Sequence, residues 1–121
     1  MKKVLLLIFI TSLVHTAVFA QQDTLKLSNN DVIIGSLEKM DRSILTFSTS
    51  YDDSDFKIKW GEVLGLTSEQ EFIISISDGE RYTSKISSVD GKDKVVSIDN
   101  NGTPMEVSLD DIVFIEPIGG N

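Results

Sequence analysis

The residues best suited to chemistry in this 121-residue sequence are three carboxylates within four positions. They are Asp52, Asp53 and Asp55, in the run Asp-Asp-Ser-Asp. Clustered carboxylate oxygens attract hard cations such as Ca²⁺, but this run lacks the ligand spacing, turn glycine and distal glutamate of an EF-hand loop. We therefore expect a solvated hairpin loop here, with weak divalent-cation or small-ligand binding as the alternative.

Composition argues against catalysis. The sequence has no Cys, and its one His is His15, so residues 21–121 hold neither a thiol nor an imidazole. That excludes Ser-His-Asp and Cys-His catalysis, thiolate or imidazole metal sites and disulfides. Two carboxylates could serve glycoside hydrolysis, but nothing in the sequence indicates a substrate cleft around such a pair. We predict a non-enzymatic protein with no catalytic residue, no cofactor and no metal centre.

A few aromatic and basic residues are candidates for contact with another macromolecule. Trp60 could form an aromatic platform for a peptide, but it continues an alternating apolar series and is predicted to lie in the core. The two tyrosines are better candidates for a surface contact. Two lysines on one strand face would form a small basic stripe, with an ordinary solvated strand face as the alternative. The candidate interaction residues are Tyr51, Lys57, Lys59 and Tyr82.

The first 20 residues have the pattern of a secretory signal peptide. Lys2 and Lys3 precede an apolar stretch, and Val18-Phe19-Ala20 places compact residues before a cleavage site after Ala20. The apolar stretch is about 11 residues long, which is short against the roughly 20 that span a bilayer. We predict a cleaved leader, a periplasmic or secreted protein, and no transmembrane segment in the mature chain.

Charge makes nucleic acid an unsuitable partner. The whole sequence has a net charge of -8, and residues 21–121 carry 9 basic and 19 acidic residues, a net charge of -10. Binding to phosphates requires a basic surface. We therefore expect no nucleic-acid partner, although some small barrels of the class described next bind RNA.

The remaining sequence predicts an all-β fold. Runs such as Phe56-Lys57-Ile58-Lys59-Trp60 alternate with period two, and Asx and Gly residues separate them. A shift of 49 residues aligns the two halves, so that Phe56, Ile58 and Trp60 fall on Met105, Val107 and Leu109. We predict two tandem SH3-like or Sm-like barrels of about five short strands each, with chance likeness between two β-rich stretches as the alternative. The predicted division is a signal peptide at 1–20, unit 1 at 21–67 and unit 2 at 68–121.

Two runs of this sequence resemble a known family. They are Tyr51–Trp60 followed by Glu62-Val63, and Asp31–Leu37. Both are similar to the N-terminal periplasmic region of uncharacterised bacterial outer-membrane proteins that are labelled salt-induced. The resemblance covers most of residues 23–118 and implies a setting at the cell envelope, with no catalytic residues to carry over.

In that family the periplasmic region usually precedes a C-terminal membrane β-barrel. We expect no such barrel here, because the sequence ends at Asn121. The expected function is an exported interaction module for an envelope protein, of which a separately encoded outer-membrane barrel is one candidate. A truncated remnant of a larger outer-membrane protein is the alternative.

Overall fold

The structure, a computed structural model, describes residues 22–119. The predicted signal peptide and its cleavage after Ala20 lie outside the described residues and stay predictions. Within the described range, nine β-strands and two short 3-10 turns make up the fold. The strands are β1 Asp23–Leu27, β2 Val32–Asp41, β3 Ile44–Thr49, β4 Asp52–Lys59, β5 Val63–Ile76, β6 Arg81–Val89, β7 Lys92–Asn100, β8 Thr103–Ser108 and β9 Ile112–Pro117.

Four of these strands close into a small barrel. Strands β2 and β5 each pair with both β1 and β9, which completes a ring of antiparallel ladders. The ring closes where Met40 of β2 lies opposite Ile115 of β9. The other strands extend the sheet on both sides, in the order β4-β3-β2-β1-β5-β6-β7-β8. The predicted all-β, small-barrel fold class is confirmed. Where two tandem barrels of about five strands each were expected, the described strands form one closed ring of four, which takes strands from both predicted units.

Strand β5 belongs to both halves of the sequence repeat. Its 14 residues pair first with β1, where Leu66 lies opposite Leu25, and then with β6 and β9, where Ile74 lies opposite Tyr82 and Ile115. The boundary predicted between residues 67 and 68 therefore falls inside one strand. Units 1 and 2 share a single sheet, without a linker between them.

The two units repeat the same order of elements. Unit 1 runs through β1 to β4, a 3-10 turn at Trp60–Glu62 and the first part of β5. Unit 2 runs through the second part of β5, β6 to β8, a 3-10 turn at Leu109–Asp111 and β9. The 3-10 turns begin 49 positions apart, and the residue after each turn donates its N–H to the carbonyl of the turn's first residue.

One hydrophobic core serves both units, and Trp60 belongs to it. Its side chain is 7% exposed, and its indole Nε1–H donates to the carbonyl oxygen of Leu109 at 2.8 Å. The core position predicted for Trp60 is confirmed. The 49-residue shift of the repeat aligns Leu109 with Trp60. This hydrogen bond therefore joins equivalent positions of the two units within the core. The other core residues are Leu25, Leu37, Met40, Leu45, Phe47, Val63, Leu66, Phe72, Ile74, Ile86, Val96, Ile98, Val107, Ile112 and Ile115.

A buried carboxylate joins the strands where the units meet. Asp23 is fully buried, and its Oδ2 accepts from the Leu37 N–H at 2.7 Å and from Gln70 Nε2 at 3.1 Å. Its Oδ1 is buried with no hydrogen-bond partner among the described residues. These contacts connect β1 to β2 and to the middle of β5, because Gln70 lies near the centre of that long strand.

Gly35 allows β3 to approach β2 closely. A Cβ at this position would overlap the Ser48 carbonyl oxygen and would lie 3.0 Å from Phe47 Cε2. At the equivalent position of unit 2 stands Ser84, whose hydroxyl accepts from the Asp99 N–H at 2.7 Å. In unit 1 the Ser48 carbonyl occupies the space beside this position, whereas in unit 2 the Ser84 hydroxyl occupies it.

Replacing Gly35 with alanine should destabilise the protein. Because the added methyl would meet backbone that is held in the sheet, we expect Gly35→Ala to lower the free energy of unfolding by about 3 kcal/mol. Gly61→Ala is the matched control, since a Cβ there has no heavy atom within 4 Å. Urea unfolding followed by circular dichroism measures both variants. Equal stability of the two variants would contradict the close approach.

Removing the indole N–H should also cost stability. Trp60→Phe keeps an aromatic ring in the core but removes one of the two donors to the Leu109 carbonyl, which keeps the N–H of Ile112, so we expect a loss of about 1 kcal/mol. The exposed substitution Tyr51→Phe serves as the control, because Tyr51 is 91% exposed. Thermal unfolding of both variants gives the comparison. A Trp60→Phe variant as stable as the control would show that the hydrogen bond is dispensable.

Candidate interaction surface

The acidic run lies on an extended strand. Residues 52–55 form the first half of β4, and the turn before it is at Ser50 and Tyr51. The expectation of a hairpin loop for Asp52, Asp53 and Asp55 is therefore wrong, because the turn is made by the residues just before them. Asp53 and Asp55 are exposed. No cluster of three or more His, Cys, Asp or Glu side chains that could hold a metal ion occurs in residues 22–119, and cation binding stays a prediction.

Strand β4 is a free edge of the sheet. Among the described strands it pairs only with β3, and its residues from Asp53 to Lys57 are all exposed. The pairing is regular from Phe56, opposite Phe47, to Lys59, opposite Ile44. Between Asp52 and Phe56 the register shifts, which marks a bulge. The alternating series that predicted one buried face is only partly buried, since Phe56 is 36% exposed whereas Trp60 is buried.

An apolar groove lies beside this edge in unit 1. It runs between the first half of β2 and the end of the β3–β4 hairpin. Val32 is 57% exposed, Ile34 is 50% exposed and Tyr51 is 91% exposed, which is unusual for side chains of this size. We call this feature the unit-1 groove, and its lining residues are Val32, Ile33, Ile34, Thr49, Tyr51 and Phe56.

The equivalent groove of unit 2 is polar. The repeat places Arg81, Tyr82 and Thr83 where unit 1 has Val32, Ile33 and Ile34. The unit-2 groove is lined by Glu80, Arg81, Tyr82, Thr83, Asp99, Asn100 and Asn101. Because the backbone elements correspond, the apolar lining of unit 1 is not a requirement of the fold.

The structure brings three of the four predicted interaction residues to one side of the molecule. Tyr51 lies in the turn before β4, and Lys57 and Lys59 are exposed on β4. Tyr82 is half-buried on β6 and packs against the core, so it is separate from them. Lys26, a further lysine considered for the basic stripe, lies on β1, and strands β2 and β3 separate β1 from β4.

Sequence reasoning missed the apolar residues of β2. Val32, Ile33 and Ile34 are consecutive, and a strand alternates its faces, so one of the two faces must expose apolar side chains. The run Val32-Ile33-Ile34 was therefore the signal in the sequence that could have indicated an exposed apolar surface. A smaller second patch on and after β9 was also missed, where Val113, Phe114 and Ile118 are each 39% to 51% exposed.

Comparisons with protein-family models, with curated proteins and with solved structures found no significant match to this chain. In the part of the chain that the structure describes, no helix has the length and apolar character to cross a membrane.

Calcium should leave the protein unaffected at millimolar concentration. Asp53 and Asp55 are exposed on an extended strand, and the described side chains include no group of three or more His, Cys, Asp or Glu around them. We therefore expect no heat and no shift of the melting temperature at about 1 mM Ca²⁺, the range in which weak extracellular sites are filled. Calorimetry of the wild type and of an Asp53→Asn, Asp55→Asn double variant makes the comparison. A shift in the wild type that the double variant loses would establish a cation site.

Proposed function

We propose that this protein is an exported, non-enzymatic interaction module of the bacterial cell envelope, which binds an envelope protein through the unit-1 groove. The observation that carries the proposal is the contrast between the two grooves. Val32 and Ile34 are exposed in unit 1, whereas Arg81 and Thr83 occupy the same places in unit 2. An apolar surface that the fold does not require is characteristic of a binding site.

The groove suits an apolar segment of a partner protein. Tyr51 and Phe56 offer large, rigid aromatic surfaces, the kind of side chain that contributes most to protein interfaces. Thr49 provides a hydroxyl at the same place, although Tyr51 N–H already donates to it at 3.3 Å. Fully burying a Val, Leu or Ile side chain contributes about 1.5–3 kcal/mol, so a few such side chains of a partner suffice for specific binding.

The setting is supported by the leader and by the family resemblance. The signal-peptide pattern of residues 1–20 favours export, and the resemblance of Tyr51–Trp60 to a periplasmic region favours the envelope. A separately encoded outer-membrane barrel is the partner that this resemblance suggests. The net charge of -10 over residues 21–121 weighs against nucleic acid in the same role.

A charged residue in the unit-1 groove should abolish partner binding. We expect wild-type protein to retain a specific envelope protein in affinity capture, and Ile34→Asp to lose it, with affinity reduced about tenfold or more because an unpaired carboxylate would be buried. Thr83→Asp is the matched control, because Thr83 is exposed at the equivalent position of unit 2.

Affinity capture of an envelope protein supports the proposal only when Ile34→Asp and Thr83→Asp differ in the protein that they retain. A protein that binds the wild type and Thr83→Asp but not Ile34→Asp supports the proposal. Identical capture by all three proteins, or no capture above background by the wild type, would contradict it.

A further inference from the structure

The free edge β4 carries charges of opposite sign on its two halves. Asp53 and Asp55 precede Phe56, and Lys57 and Lys59 follow it. All four charged side chains are exposed. Among the side chains that the structure describes, the ion pairs are Lys85–Glu69 and Lys92–Glu106, and neither includes Asp53, Asp55, Lys57 or Lys59.

We propose that two copies of this chain pair through β4, antiparallel and about a two-fold axis at Phe56, so that their sheets join. In such a pairing Phe56 lies opposite Phe56 of the second copy. Asp55 then lies opposite Lys57 of the second copy, and Lys57 lies opposite its Asp55. Asp55, which lies beside Phe56 at the end of the bulge, thereby faces the basic half of the other strand. This match is self-complementary, as a two-fold dimer needs.

Charge selects this register over its neighbours. Centring the axis on Asp55 or on Lys57 would place that residue opposite its own copy, with like charges in contact. Centring it on Ser54 would oppose Asp53 to Asp55, and centring it on Ile58 would oppose Lys57 to Lys59. Like charges directly opposite one another destabilise a strand pair. Of the five registers, the one at Phe56 is therefore the most complementary.

The backbone of β4 has hydrogen-bonding groups available for this pairing. Trp60 N–H donates to the Ser43 carbonyl at 2.8 Å, on the side of β3. Because hydrogen bonding alternates along an antiparallel ladder, Lys57 and Lys59 direct their N–H and C=O groups away from β3. Phe56 then forms a non-hydrogen-bonded pair with its copy, the type in which opposite side chains are closest.

Apolar contact adds to the charge match. Phe56 is 36% exposed at the edge and also lines the unit-1 groove. Bringing two Phe56 rings together across the axis would remove apolar surface from water and place the two unit-1 grooves side by side. Phe56 belongs to both surfaces, but the charges of β4 serve only the dimer and Val32 and Ile34 serve only the groove, so charge reversals on β4 and Ile34→Asp test the two proposals separately.

The opposite edge of the sheet, β8, is built differently. Its Pro104 has no N–H to donate, and Glu106 is paired with Lys92 at 2.9 Å. Proline, charged side chains and bulges are the usual protection of an edge strand against pairing. Strand β8 has the proline, whereas β4 has charges and the bulge between Asp52 and Phe56. What distinguishes β4 is that it has no proline and that its charges are complementary to those of a second copy, so β4 is the edge that we propose to pair.

Charge reversals at β4 test the dimer. The protein is expressed with its own leader, and its mass in solution is measured by sedimentation equilibrium up to about 1 mM, which covers weak association. We expect the wild type to dimerise, and Asp55→Lys or Lys57→Asp alone to raise the dissociation constant about tenfold or more, since each creates two like-charge contacts. Glu106→Lys on β8 has the same charge change as Asp55→Lys and should dimerise like the wild type.

Two complementary combinations should restore association. An equimolar mixture of Asp55→Lys and Lys57→Asp chains pairs lysines with aspartates again, and so does the double variant that carries both changes. Restored dimers in these samples support the proposal. A monomeric wild type, single variants that dimerise like the wild type, or single variants that neither combination rescues would each overturn it.

A single cysteine tests the register independently. The chain has no Cys, so Phe56→Cys introduces one thiol directly at the proposed axis. Opposite residues of a non-hydrogen-bonded pair are about 4.5 Å apart at Cα, which a disulfide can span. Under mild oxidation we expect a covalent dimer, whereas Met105→Cys, the equivalent position on β8, should stay monomeric. Equal cross-linking of both variants, or none in Phe56→Cys, would overturn the register at Phe56.

Discussion

The fold depends on the continuity of β5 through the middle of the repeat. A unit of about 45 residues buries too little surface to be stable alone. Because the same strand ends unit 1 and begins unit 2, the apolar faces of both units are held against one core. Strand β5 supplies two of the four ladders of the ring, and its Gln70 donates to Asp23. The Trp60–Leu109 hydrogen bond is a further contact between the two units.

Much of the architecture could be predicted from local signals. Period-two alternation identified most strands, and Gly79, Gly91 and Gly102 have the positive φ that their Asp-Gly and Asn-Gly turns implied. The hairpin between β2 and β3 was less visible, because Arg42 and Ser43 adopt positive φ without the usual turn residues. Ring closure depends on a contact between distant strands, for which a single sequence contains no local signal.

The candidate surface was harder to predict than the fold. Composition pointed to Tyr51, Lys57 and Lys59, and the structure places these near one edge. The exposure of Val32 and Ile34 follows from which face of β2 turns towards solvent, and that depends on neighbouring strands. The most useful comparison was between equivalent positions of units 1 and 2. Because the two units have similar backbones and different side chains, a side chain found in only one of them is not required for folding.

The closure of the ring between Met40 and Ile115 also bears on the order of folding. These residues are 75 positions apart, and Ile115 lies in the last strand of the described chain. Contacts between distant residues slow folding, because the intervening chain must be ordered before they can form. The barrel can therefore close only after nearly the whole polypeptide has emerged. The local hairpins β3–β4, β6–β7 and β7–β8 can form earlier, so closure of the ring is expected to be a late step of folding.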